Sequence, residues 1–264
     1  MKQRLIGAFF VILVTLTVFL SPGSVSALCL TAISFVAIYE FLKANHMQNS
    51  PFLVVNYFAT AALYLLLYFD RPEYILPLLI LLMLVSLSIY VVLYPKYSDK
   101  NLAVSVFSFI YISIMLSFVY QIHELEAGVL LCFFILISSW GNDVFAYLVG
   151  SAIGKHKCTP KVSPNKSVEG FIGGMLGAAA LGFLYGTLFK AYIPFDAWYC
   201  AVIAGVGSIP GDIGDLAASA IKRNNDIKDF GKLIPGHGGM VDRIDSVLFT
   251  APIIYYLVIL FNIG

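Results

Sequence analysis

Nine apolar runs, each about as long as a membrane helix, follow one another along this chain. They fall at about 5–20, 25–42, 52–69, 74–94, 102–120, 127–149, 168–189, 197–214 and 246–262. A helix needs roughly 17–25 residues to cross the hydrocarbon of a bilayer, and only the first run is slightly short. Charged residues make up 12% of the 264 and hydrophobic ones 60%, where a soluble domain carries about twice that charge. No single water-soluble core hides so much apolar surface, and mean hydropathy is +0.89. The expected fold is therefore all-α, a polytopic integral membrane protein with about nine transmembrane helices.

Nine spans put the two termini on opposite sides, and the basic residues choose between them. With the N-terminus in the cytoplasm, the inner set holds Lys2, Arg4, Lys43, Lys96, Lys100, Lys155, Lys157, Lys161, Lys166, Lys222, Arg223, Lys228, Lys232 and Arg243. Of the 16 basic residues only Arg71 and Lys190 then fall outside, as the positive-inside rule asks. The organisation expected is a membrane region over 1–126 with five spans, then a catalytic membrane region over 127–264. The second region holds spans six to nine and two cytoplasmic polar stretches, 150–167 and 215–245. That asymmetry points to water-soluble chemistry on the inner face of the cell membrane. The net charge of +1 gives no field for nucleic acid, and no nucleic-acid partner is expected.

Lys2 and Arg4 before Leu5–Leu20 have the form of a signal peptide. Eight more apolar segments follow, and the first pairs with the second across Ser21-Pro22-Gly23, so the segment is expected to be retained. Cys29, Cys132, Cys158 and Cys200 are scattered with no CxxC, which argues for ordinary packing over disulfides or zinc.

Polar groups inside the spans carry the functional signal. Asp143, in Trp140-Gly-Asn-Asp143, lies on the order of 10 Å from the inner end of its span. An acid at that depth is costly unless it faces a cavity, a cation or a partner. Glu40, near the end of the second span, is expected to snorkel to the interface beside Lys43.

The stretch 150–167, GSAIGKHKCTPKVSPNKS, holds four lysines and no acid. Ser167 is the expected N-cap of the seventh span, and a helix N-terminus with lysine beside it favours phosphate. Lys166, set between Ser163, Asn165 and Ser167, is the candidate for that role. Lys155, Lys157 and Lys161 are equally well explained by topology. The glycines of the seventh span, Gly173-xxx-Gly177 and Gly182-xxx-Gly186, read as close-packing positions.

The eighth span ends in Gly205-Val-Gly-Ser-Ile-Pro210-Gly-Asp212-Ile-Gly-Asp215, which reads as a helix broken where two acids appear. Asp212 and Asp215 are spaced i,i+3, and Asp242 and Asp245 repeat the spacing before the ninth span. Such acid pairs are the makings of a divalent-metal site, and hard oxygen ligands suit Mg²⁺. Capping of helix ends is the competing reading. Between the pairs runs a basic, Gly-rich segment whose backbone N–H groups can crowd an anion. No GxxxxGK[ST] occurs, so this is not a P-loop. Carboxylates for metal beside a basic Gly-rich loop indicate phosphoryl or nucleotidyl transfer.

The stretch 219–245, SAIKRNNDIKDFGKLIPGHGGMVDRID, resembles the signature of the phosphatidate cytidylyltransferases, and 163–170 and the Asp143 region are similar to that family too. The specific likeness covers roughly 140–252. One departure is Ala218, where many members carry an acid.

The resemblance implies that CTP and phosphatidate give CDP-diacylglycerol and pyrophosphate with Mg²⁺. It implies Asp215, Asp242, Asp245 and Asp143 as metal ligands. Lys222, Arg223, Lys228 and His237, with Asp215 and Asp242, would form the catalytic set. Lys166, Ser167, Ser163, Asn165, Arg243, Gly238, Gly239 and Ser219 would bind substrate. The partners implied are CTP, phosphatidate and the lipid bilayer, and a homodimer stays open. A CTP-dependent enzyme acting on an ether lipid or a polyprenol would share this headgroup chemistry. The DGxxAR pattern of CDP-alcohol phosphotransferases is absent. An ion-coupled transporter would explain intramembrane acids, but no internal repeat is found.

Overall fold

The computed structural model describes residues 2–21, 23–233 and 238–262. His237 of the expected catalytic set lies outside the described residues. Helix α1 (Lys2–Leu20) stands where the first span was expected. Among the described residues eight helices are long and apolar enough to cross a membrane, one fewer than the nine expected, since the apolar stretch of α1, Val11–Leu20, is shorter. They are α2 (Gly23–Ala44), α3 (Pro51–Tyr68), α4 (Pro72–Val92), α5 (Asp99–His123), α6 (Gly128–Ile153), α7 (Val168–Leu188), α8 (Ala197–Asn224) and α9 (Val241–Phe261). The expected all-α polytopic architecture is the one found.

Lipid leaves no water to satisfy a bare peptide group, so each crossing segment closes its hydrogen bonds within a helix. Side chains then sort by what they face. From Ile75 to Val92 only Leu82 and Ser86 are buried, while residues such as Phe58 and Trp198 stand exposed on other helices. Those surfaces suit hydrocarbon.

The chain forms two compact units, residues 1–120 with 224–243 and residues 121–223 with 244–264. In the first, Ala59, Leu63, Leu82 and Phe109 form an apolar core. Beside it, α3 and α5 are joined by polar side chains. Asn56 Nδ2 donates to Ser105 Oγ at 2.9 Å, and Thr60 and Ser113 hydroxyls meet at 2.7 Å. Ser98 and Asn101 make a reciprocal cap at the start of α5, each side chain accepting from the other's backbone.

In the second unit the stretch between α6 and α7 folds into a small hairpin, β1 (Lys157–Thr159) antiparallel to β2 (Ser163–Ser167). The glycines of α7 serve two neighbours. A Cβ on Gly173 would meet Val149 and one on Gly177 the ring of Phe145, both on α6; a Cβ on Gly182 or Gly186 would meet Cys200 on α8. The two GxxxG motifs thus seat α7 between α6 and α8. All four cysteines are free.

One expectation is overturned. The eighth span does not break at Pro210, because α8 runs unbroken from Ala197 to Asn224. Its glycines are a seam: a Cβ on Gly207 would meet Ile254, on Gly211 Thr250, and on Gly214 Phe249, all on α9. Close packing holds the helix through residues of poor helix propensity. At about 1.5 Å per residue α8 is roughly 42 Å long, more than the roughly 30 Å of hydrocarbon. The polar stretch expected from 215 is therefore helical to 224.

Replacing Gly177 by valine should force the α6–α7 contact apart and cost about 1–3 kcal/mol. Ala180→Val, at an exposed position of the same helix, should leave the protein unchanged. Thermal unfolding in detergent checks both, and equal midpoints would contradict the packing.

Candidate functional site

The second unit gathers two acids, Asp212 and Asp215, around one lysine. Asp212 and Asp215, one turn apart on α8, share a face, as their i,i+3 spacing requires. Lys166, at the end of β2, puts Nζ 2.8 Å from Asp212 Oδ1 and 2.7 Å from Asp215 Oδ2. Asp212 is 5% exposed, and its other oxygen accepts from Asn142 Nδ2 at 2.9 Å. Two local features bring these groups together. A π-helical turn, Ile137–Gly141, directly precedes Asn142 and Asp143 in α6, and such turns re-aim the residues that follow. Gly174 leaves room for the Asn142 side chain, since a Cβ there would meet its Oδ1.

Burial works against the charge on Lys166, but the two adjacent carboxylates outweigh it and hold its pKa above the ordinary lysine value. The ammonium therefore stays charged throughout the neutral range.

A cavity of about 660 Å³ opens at this cluster. Asp143, Asp212, Lys166 and Asn165 line it, and so do Tyr147 and Phe171. Asp143 is exposed to it. Ser167 lies at its edge, buried, with Oγ accepting from Gly170 N at 3.1 Å, so the expected N-cap is present. Ser163 stands at the other end of β2. Ser219, Lys222 and Arg223 follow on the last turns of α8, and Ala218 is fully buried. Asp245 is buried on α9 and accepts from Ser246 N at 2.8 Å. Lys157 is exposed on β1.

The first unit holds the Gly-rich loop. Asp242 Oδ2 accepts from Phe230 N and from Gly239 N, both at 2.9 Å. Gly238 has φ +84°, a conformation open to glycine. Lys228 and Arg243 are exposed. Glu40 does not snorkel. It is 4% exposed, and Val241 N donates to its Oε2 at 3.1 Å. The backbone donors of Phe230, Gly239 and Val241 therefore serve the protein's own carboxylates.

Asn142 and Glu40 were outside the site residues expected from sequence. Asp212 was read with Asp215 as an acid pair from their spacing, but the ligand set that the resemblance implies left it out. Nothing local to Glu40 tells a snorkelling acid from a buried one.

Lys166→Ala would leave Asp212 buried without its cation, and breaking such a pair costs about 3–5 kcal/mol. It should lower both stability and turnover, while Lys161→Ala, exposed in the same hairpin and away from the cavity lining, changes neither. Equal small effects in an unfolding and activity comparison would reduce the hairpin lysines to a topology signal.

The comparisons with known proteins agree with one another. The model of the cytidylyltransferase family matches residues 2–261. A phosphatidate cytidylyltransferase of Staphylococcus saprophyticus is 31% identical over 98% of this chain and 99% of its own length. One from Thermotoga maritima is 34% identical over 97% of this chain and 95% of its own. One from Bacillus subtilis is 40% identical over 154 residues, 58% of this chain and 56% of that protein.

Proposed function

The chain belongs to the cytidylyltransferase family, and from that membership we propose that it makes CDP-diacylglycerol and pyrophosphate from CTP and phosphatidate. It is then a nucleotidyltransferase of phospholipid biosynthesis. The observation that carries this reading is the cavity at Lys166, lined by that half-buried cation, by acids and by apolar side chains. A lipid phosphate needs both kinds of lining.

In the reaction an oxygen of the phosphatidate phosphate bonds to the α-phosphorus of CTP, and the bond from that phosphorus to the β-phosphate oxygen breaks. The nucleophile is already an anion, so the protein's task is alignment and charge neutralisation rather than strong base catalysis. Lys166 holds Asp212 and Asp215 in place. Lys222, Arg223, Lys228 and Arg243, which the family signature names, would meet phosphate oxygens.

Mg²⁺ fits the donor chemistry. Among the described residues no three His, Cys, Asp or Glu side chains converge as a metal cage, and Mg²⁺ does not need one, since one or two carboxylates and substrate phosphates suffice. Asp215 and Asp143 offer hard oxygens in the second unit, and the signature adds Asp242 and Asp245. When bound, the ion would neutralise phosphate charge. The basic split, with only Arg71 and Lys190 outside, supports an inner-membrane setting with the chemistry facing the cytoplasm.

Purified protein given CTP and phosphatidate with Mg²⁺ should release pyrophosphate and form CDP-diacylglycerol. Turnover only with an ether lipid or a polyprenyl phosphate would move the substrate assignment, and ion flux in liposomes without turnover would overturn the enzyme. Asp215→Asn and Asp242→Asn should each cost roughly a hundredfold in rate, about 2.7 kcal/mol. Asp226→Asn is the control: Asp226 is exposed at φ +54°, where asparagine is equally at ease. Near-normal turnover in both Asp215→Asn and Asp242→Asn would remove the metal assignment.

For orientation, a single cysteine at position 98, in a chain with its native cysteines replaced, should react only after intact cells are permeabilised. Labelling from outside would reverse the topology.

A further inference from the structure

We propose that Glu40 is a positioning residue for this reaction: its carboxylate seats the loop that leads to Asp242. Glu40 lies on α2, some two hundred residues before that loop, yet it is buried against it. Val241 N donates to Oε2 at 3.1 Å. This is a backbone donor at the start of α9, where no preceding turn of helix satisfies it and where the helix dipole favours an anion.

The fit is close on two further sides. A Cβ on Gly231 would run into Oε1 and one on Gly239 into Oε2. Glycine at 231 thus leaves the room this carboxylate occupies, and glycine at 239 leaves room for both the carboxylate and the backbone of Gly231. Asp242 completes the arrangement from within the loop, accepting from Phe230 N and Gly239 N. Phe230 in turn stacks on Phe41, the neighbour of Glu40, with ring centroids 6.0 Å apart. Glu40 and the Phe230–Phe41 contact thus hold the described ends of the loop, 230–231 and 238–241, against α2, and Asp242 ties those two ends together.

A carboxylate taken out of water is costly unless donors surround it. Here it is placed so that removing its charge disturbs the loop before it disturbs the spans. Gln at 40 keeps the volume and one acceptor oxygen for Val241 N, but it removes the charge and puts an NH₂ group beside Gly231 in place of the second oxygen. Lys228 and Asp242, which the family signature places in the chemistry, ride on that loop, and a displacement of about 1 Å at a reacting centre can cost a hundredfold. The effect on turnover rests on the function proposed above; the seating of the loop does not.

The test has two arms, run on the full-length protein in detergent. Hydrogen exchange of peptides covering 229–241 should speed up in Glu40→Gln and Glu40→Ala, with exchange in the spans unchanged. In parallel, kcat/KM for CTP should fall about a hundredfold in Glu40→Gln while the thermal midpoint holds. A clip that matters only for stability would do the reverse, lowering the midpoint and sparing the turnover of the folded fraction. Gly231→Ala should reproduce the loss alone and add nothing in a Glu40→Ala background, since removing the carboxylate makes the room that the new methyl group needs. That pair also decides the matter should Glu40→Gln fail to fold.

Near-normal turnover in Glu40→Gln, or additive losses in the double variant, would overturn the proposal. Should the wild-type protein be inert toward CTP and phosphatidate, the proposed function fails, and the exchange arm alone decides whether Glu40 seats the loop.

Discussion

A carboxylate withdrawn from water into a membrane protein must be answered by a cation or by hydrogen-bond donors, because nothing in the lipid will do so. The two units answer in different ways. In the second, Asp212 and Asp215 share Lys166, and Asn142 donates to the remaining oxygen of Asp212. In the first, Glu40 and Asp242 are met by backbone N–H groups of the loop and of the start of α9. The first solution fixes a charge at a cavity. The second fixes a chain segment. Buried ion pairs are weak sources of net stability, because desolvation offsets most of the attraction. What they supply here is geometry: a lysine that can sit in only one place.

Glycine supplies the space these arrangements need. Gly174 admits Asn142, and Gly231 and Gly239 admit Glu40. Gly207, Gly211 and Gly214 form a seam on α8 against which α9 lies. Without an apolar driving force between helices in lipid, association depends on contact and on polar links, and small residues give both their chance. The glycines therefore act on function at one remove, by letting a polar side chain or a neighbouring helix come close.

Much of this was legible in the sequence, for reasons that differ by residue. The spans were legible because their length is set by the bilayer. Asp212 and Asp215 were legible as a pair because helical spacing dictates a shared face, and Ser167 was legible as a cap because its hydroxyl precedes an apolar run. The continuity of α8 was not legible. Local propensity reads Gly205–Asp215 as a break, and only the seam with α9 keeps it helical. Glu40 was misread for a related reason. Whether an acid near a helix end snorkels or turns inward depends on a partner far away in sequence, and α2 holds no trace of the loop at 230–242. The hairpin 157–167 was read only as a polar stretch, because strands of three and five residues, the second containing a proline, carry no alternation to detect.

The loop's donors bear on how a nucleotide is bound. In a P-loop, glycines expose backbone N–H groups to a phosphate, and the backbone does the binding. Here the N–H groups of Phe230, Gly239 and Val241 are already spent on Asp242 and Glu40. Among the described residues, the anions that these three donors meet are the protein's own. Under the function proposed above, side-chain cations such as the exposed Lys228 and Arg243 would carry more of the phosphate recognition than these donors. That division has a physical merit. Backbone donors occupied by internal carboxylates are not competed for by water or by free phosphate, so Phe230, Gly239 and Val241 are held without any ligand, which lowers the ordering cost of binding beside them. Lysine and arginine side chains, mobile and strongly hydrated, can follow a triphosphate as its charge shifts from substrate to pyrophosphate. A rigid internal anion beneath mobile external cations suits a site that must release a highly charged product.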